Sequence, residues 1–326
     1  MNRLGIVYIC LLVAVGLFYS GCQKDPSNDG GEQVETFTAK APAFDAERAY
    51  GFIEKQLSFG PRVPNSAGHA ACAAWMVDTL KSFGANVEIQ RGEVEAFDGT
   101  KLKIQNIIGS FNPQAVNRIM ISAHWDTRPF ADQDADTTLK NTPIPGANDG
   151  GSGVAVMLEM ARIIGQDSLN VGVDFFFWDA EDYGDSETSN SYCLGTQYWA
   201  KNMPNPNYRP NYGINLDMVG AKGAVFTQDQ VSVVYASHVL KKVWDIGHLL
   251  GYSSYFVYRK DSPLIDDHVY VNQLANIPMI DIIDRTAAGG KFFDHWHTMK
   301  DDIDAISKET LKAVGQTVLE TIYQEE

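Results

Sequence analysis

The sequence predicts an α/β domain built on a mainly parallel sheet, and three observations carry that prediction. From residue 45 to residue 323, segments with apolar residues at three- and four-residue spacing alternate with segments that are apolar almost without a break. The unbroken runs are rich in β-branched and aromatic residues, as suits strands buried on both faces. No repeat and no second linker interrupts the pattern, so the domain is single and spans residues 41–326.

The chain opens with residues that stand outside this domain. Arg3 supplies a positive start, and residues 5–18 form an apolar run of 14 residues, too short to span a bilayer comfortably. Tyr19-Ser20-Gly21 then leads to Cys22, which makes residues 1–22 an export signal. Small residues directly before a cysteine resemble the bacterial lipobox. That resemblance implies that Cys22 is acylated, becomes the mature amino terminus and anchors the protein to a membrane, facing the periplasm. Residues 23–40, polar and rich in Asp, Gly and Ser, are expected to form a flexible tether.

Within the domain the periodicity predicts helices over 45–58, 66–83, 152–164, 234–250 and 304–323. Strands are expected at 118–123 (RIMISA), 171–178 (VGVDFFFW), 212–216 (YGINL) and 277–283 (IPMIDII). The formal net charge of −15 excludes a phosphate-binding surface and hence nucleic acid as a partner; it suits a positively charged one, such as the free amino terminus of a peptide. Cys72 and Cys193 are too few for a disulfide framework and lack metal spacing, so two buried thiols are expected.

Polar residues collect where three of the strands end. His124-Trp125-Asp126 follows the first, Asp179, Glu181 and Asp182 follow the second, and Asp217 closes the third. Ligands of open α/β sheets bind at this carboxyl edge. Asp149 lies in PGANDGGSG, where Asn-Asp-Gly-Gly suits a turn into the helix at 152 and the glycines let backbone approach an ion. Glu181 and Asp182 are neighbours, so their side chains diverge: one can bind a metal while the other stays free for acid–base work. Carboxylates plus one imidazole, with a coordination position left open, fit catalytic zinc. The stretch FFDHWHTMKDD (292–302) places His295 and His297 on either side of Trp296. Taken alone it is either a solvated loop with one aromatic turned inward, or a metal ligand beside the wall of a pocket.

HWD (124–126), ANDGGSG (147–153), DAED (179–182), NLDMVG (215–220) and WHTMKDD (296–302) occur in an order that resembles the zinc aminopeptidase superfamily M28. DDH (266–268) and the tryptophan before His297 are similar to the animal-type glutaminyl-peptide cyclotransferases of that superfamily, which turn amino-terminal glutamine into pyroglutamate and release ammonia. The resemblance implies a three-layer α/β/α domain of zinc-hydrolase type around a mixed, mainly parallel twisted sheet. It implies one zinc per chain, held by Asp149, Asp182 and His297, with Asp182 standing where a glutamate is commoner. Glu181 takes the place of the general base and acid, and Asp217 and Asp266 that of a hydrogen-bonded acidic pair. Trp296 and Phe292 line the pocket, and His295 is a bystander. The implied substrates are peptides or proteins with amino-terminal glutamine. In the peptidases the positions of His124 and Asp217 hold a second zinc, so an aminopeptidase is the competing expectation. Ala123 replaces a disulfide-forming cysteine of the animal enzymes. An indole that follows the acidic pair there is also missing, leaving Tyr192 or Trp199 to build the entrance.

Overall fold

The computed structural model describes residues 37–286 and 292–325. The leader with Cys22, and most of the expected tether, lie outside those residues. In chain order the elements are α1 (Ala46–Leu57), α2 (Ala67–Ser82), β1 (Asn86–Glu95), β2 (Lys101–Phe111), β3 (Arg118–His124), α3 (Ser152–Ile164), β4 (Gly172–Trp178) and α4 (Leu194–Lys201). They continue as β5 (Tyr212–Asp217), β6 (Phe226–Gln228), α5 (Gln230–Leu249), β7 (Phe256–Lys260), α6 (Asp267–Tyr270), β8 (Met279–Ile283) and α7 (Lys308–Tyr323).

The main sheet has the order β1-β2-β4-β3-β5-β8. β4, β3, β5 and β8 run parallel, and the β1–β2 hairpin adds to β4 antiparallel. The sheet is mixed and mainly parallel, as expected. Strand periodicity explains its two covered faces. Val173, Phe175 and Phe177 of β4 join Ile119, Ile121, Ile214 and Ile280 in one core cluster with α1, α2, α3, α5 and α7. The intervening Phe176 and Trp178 join Met120, Met279 and Trp199 of α4 in a second cluster on the opposite face. Each fully buried side chain of this size contributes roughly 1.5–3 kcal/mol, which is why the runs tolerate so few polar residues.

Most helix boundaries follow their capping residues. Asp45, Ser66 and Ser307 each accept a hydrogen bond from the backbone N–H three residues on, at the starts of α1, α2 and α7. α7 therefore begins later than residue 304, which belongs to a short 3₁₀ turn instead. α5 begins earlier than residue 234 because Asp229 caps it, accepting from Val231 and Ser232.

The β1–β2 hairpin was absent from the sequence prediction. β1 (NVEIQRGEVE) is an edge strand exposed along much of its length, so it has no continuous apolar run. The start of the domain also moves. Lys40 N donates to Glu320 and Gln324 donates to the Thr38 carbonyl, so residues 38–40 belong to the packed body rather than to a tether.

Candidate active site

β3, β4 and β5 are neighbours and parallel, so their polar carboxyl ends open on one edge of the sheet. Backbone conformation there is unusual. Ala180, Met218 and His297, beside or within the predicted site, all adopt positive φ, between 49° and 55°. Such conformations cost about 1–3 kcal/mol each, which the surrounding packing must offset. Gly150, with φ of 78°, has a different reason: a Cβ there would stand 2.1 Å from the Asp126 carbonyl oxygen.

The three predicted metal ligands converge. His297 Nε2 lies 3.2 Å from Asp182 Oδ1 and 3.7 Å from Asp149 Oδ2, and all three side chains are buried. Asp149 Oδ2 and Asp182 Oδ2 have no hydrogen-bond partner. Two buried carboxylates turned toward one imidazole, with oxygens unsatisfied, form a donor set that fits zinc. Asp301 places Asp149 by accepting from the N–H groups of Asn148 and Asp149 at 2.8 and 3.0 Å.

Asp126 accounts for the divergence of Glu181 and Asp182. Its carboxylate accepts from both backbone N–H groups, at 2.9 and 3.2 Å, which pins the turn after β4. From that turn Asp182 reaches the ligand cluster, while Glu181 groups with Cys193 and Asp266. Burial, with the charge of Asp182 among the contributors, raises the Glu181 carboxyl well above the usual range, while His124 opposes. A carboxyl raised in this way holds its proton more readily than an ordinary one, which suits it to accept and return a proton.

A second cluster adjoins the first. His124 Nε2 lies 3.1 Å from Asp149 Oδ1 and 3.2 Å from Asp217 Oδ1. Burial works against a charged His124, but Asp126, Asp149 and Asp217 outweigh it and raise the ring well above its ordinary value. Burial pushes the Asp217 carboxyl up to about 7, with Asp266 adding as a like charge and His124 opposing. Asp266 also groups with His268 and with Asp281 of β8, and Asp266 Oδ2 and Asp281 Oδ2 have no hydrogen-bond partner. Asp281 is an acid of this group that the sequence reading did not single out.

A cavity of about 410 Å³ opens over both clusters. Glu181, Asp182 and Asp217 line it together with Trp296, Phe292 and Tyr192. Trp296 stacks on His297 with ring centroids 3.7 Å apart, and Phe292 packs on Trp296 at 4.7 Å. Of the two aromatics considered for the entrance, Tyr192 is at the cavity and Trp199 is fully buried against Phe176 and Trp178. His295 is not among the lining residues and packs beside Phe293.

Sequence reasoning gave no role to Arg128, Asp132 or Cys193, all of which touch the site. Arg128 follows HWD closely and Cys193 precedes α4, but neither carries a spacing that marks it. Cys72 and Cys193 are both buried and unpaired, as expected.

Comparison with known proteins agrees with this geometry. The model of peptidase family M28 matches residues 106–322. A Zn-dependent exopeptidase from Parabacteroides distasonis is 49% identical, with a TM-score of 0.85 over 87% of this chain and 99% of that one. A glutaminyl cyclase from Bacteroides thetaiotaomicron, solved with N-acetylhistamine, is 46% identical, with a TM-score of 0.86 over 88% of this chain and 100% of that one. Aminopeptidase YwaD of Bacillus subtilis is 26% identical over 322 residues; the match covers 93% of this chain and only 65% of the Bacillus protein's length.

Proposed function

The chain belongs to peptidase family M28, and on that premise we propose that it is a zinc-dependent glutaminyl-peptide cyclotransferase, converting the amino-terminal glutamine of peptides or proteins to pyroglutamate with release of ammonia. The observation that carries the reading is the 46% identity to a glutaminyl cyclase over nearly its whole length, with Glu181 free of the ligand cluster in this chain. Asp149, Asp182 and His297 are the residues that hold the metal. When bound there, zinc supplies Lewis-acid polarisation of the glutamine side-chain carbonyl and stabilises the charge that develops on its oxygen.

The remaining chemistry belongs to the protein. The α-amino nitrogen of the substrate attacks its own side-chain amide carbon, forming the ring C–N bond as the bond to the amide nitrogen breaks. Glu181 accepts the proton from the attacking nitrogen and returns one to the departing nitrogen, which leaves as ammonia. Trp296, Phe292 and Tyr192 shape the apolar walls that receive the side chain and limit water. The acidic residues of the lining suit an incoming ammonium group.

A second reading, a zinc aminopeptidase, is favoured by two observations: the 49% identity to a Zn-dependent exopeptidase, and the convergence of His124, Asp149 and Asp217 as a possible metal set. Against it, the glutaminyl cyclase is matched at 46% identity over 100% of its length, whereas Aminopeptidase YwaD is matched at 26% identity over 65% of its length. On the cyclase reading we assign one zinc per chain. Assaying ammonia release from Gln-initiated peptides beside cleavage of Leu-initiated ones separates the two readings. The lipobox-like leader supports a further part of the proposal, that the enzyme is a lipoprotein anchored through Cys22 and facing the periplasm.

A further inference from the structure

We propose that Arg128 and Asp132 are positioning residues that together set two of the three zinc ligands, an inference that rests on the ligand assignment above. Arg128 is buried beneath the site. Its Nε and Nη2 donate to Asp132 Oδ1 and Oδ2, each at 2.9 Å, a two-bond fork that fixes the carboxylate in plane and orientation. Its remaining Nη1 turns to the turn after β4. It donates to the Asp182 carbonyl at 3.1 Å, to Asp182 Oδ1 at 3.4 Å and to the Gly184 carbonyl at 3.2 Å.

Asp132 carries the effect on to the imidazole. Its Oδ1 stands 3.2 Å from His297 Nδ1, while His297 Nε2 faces Asp182 and Asp149. The approach is an ion-pair contact rather than an aligned hydrogen bond. The negative charge beside Nδ1 favours the tautomer with the proton on that nitrogen, which leaves the Nε2 lone pair for the metal position. The same loop holds the His297 backbone. Gln133 N donates to the His297 carbonyl at 3.2 Å, and Asp134 accepts from Met299 N at 2.9 Å. His297 has the left-handed φ of 55°, so these bonds hold a ligand in a conformation the chain does not favour by itself. One guanidinium therefore orients a carboxylate ligand directly and an imidazole ligand through Asp132.

The test is the zinc dissociation constant of the whole protein, measured by competition with a chromophoric chelator. Asp132→Asn and Arg128→Lys are the variants. Asn keeps the size of Asp132 but not its charge, and Lys keeps the charge of Arg128 but not the fork. Each should weaken zinc about 10–100-fold, with kcat recovering toward wild type in saturating zinc and KM little changed. Unfolding of the chelator-treated proteins is the control. Metal-free Asp132→Asn should melt somewhat below metal-free wild type, since its ion pairs with Arg128 and His297 are lost. The stabilisation by added zinc should shrink on top of that loss. Affinity within threefold of wild type in both variants overturns the proposal, as does a melting loss that is equal with and without zinc. Wild-type protein that binds no zinc would sink the ligand assignment itself, a result distinct from either.

Discussion

Cys193 donates its thiol hydrogen to Glu181 Oε1 at 3.3 Å, and its backbone N–H donates to the Glu181 carbonyl at 2.9 Å. Cys193 is buried and adopts a left-handed φ of 56°, at the entry to α4. Burial, with Glu181 and other acids nearby, holds its thiol pKa well above the ordinary value. The sulfur therefore stays protonated and serves as a donor rather than a nucleophile.

Cys193→Ala removes that donor while leaving the metal ligands alone. A thiol is a weak donor, so a loss of about 1 kcal/mol, or roughly fivefold in kcat, is expected, with KM and zinc content unchanged. Cys193→Ser should retain most of the activity. Steady-state kinetics of the two variants checks this; equal losses in both would show that the contact is only packing.

Glu181→Gln separates proton transfer from metal binding. Zinc should stay bound and kcat should fall about 10²–10⁴-fold, because the group that carries the proton between the nitrogens is gone. Asp182→Asn, one residue on, should instead weaken zinc. Metal analysis after dialysis, run beside kinetics, distinguishes the two; loss of zinc in Glu181→Gln would end the division of labour assigned to these neighbours.

How far this site can be read from sequence follows from where its residues sit. β3, β4, β5 and β8 are buried on both faces, so their runs are continuous and their carboxyl ends point to the acids that follow. The ligands and Glu181 lie in short motifs at those ends, and their resemblance to a known order assigned them. The rest depends on distance in space. Asp281 is one acid inside an apolar strand, and only the β5–β8 pairing and the packing of α6 bring it near Asp266. Arg128 and Asp132 lie in a polar loop that resembles any solvated loop until Asp182 and His297 fold against it. The β1–β2 hairpin escaped because a half-exposed edge leaves too little apolar signal.

Zinc affinity should depend on pH through His297. Without metal, burial opposes a charged ring, but Asp182 and Asp132 outweigh it and raise the pKa to about 9, against an ordinary value of 6.5. The proton therefore stabilises the metal-free fold fully below pH 6.5, and this contribution is lost as the pH rises through about 9. Zinc requires the proton to leave, so its apparent affinity should rise by up to about tenfold per pH unit across that window. Chelator competition at several pH values measures the slope; a flat profile would mean that His297 is not the group zinc deprotonates.

The anchor proposed at Cys22 predicts that the native protein sediments with membranes and that Cys22→Ala moves to the soluble fraction or keeps an uncleaved leader. Recovery of the wild type as soluble periplasmic protein would contradict it.

The most direct test of the central claim is a paired assay on one zinc-loaded preparation. Ammonia release is followed from Gln-initiated peptides, and new amino termini are followed from Leu-initiated ones. The cyclotransferase assignment predicts stoichiometric ammonia and pyroglutamyl product from the first, with no cleavage of the second. Release of free leucine without ammonia from the glutamine peptides would contradict it and make the chain an aminopeptidase.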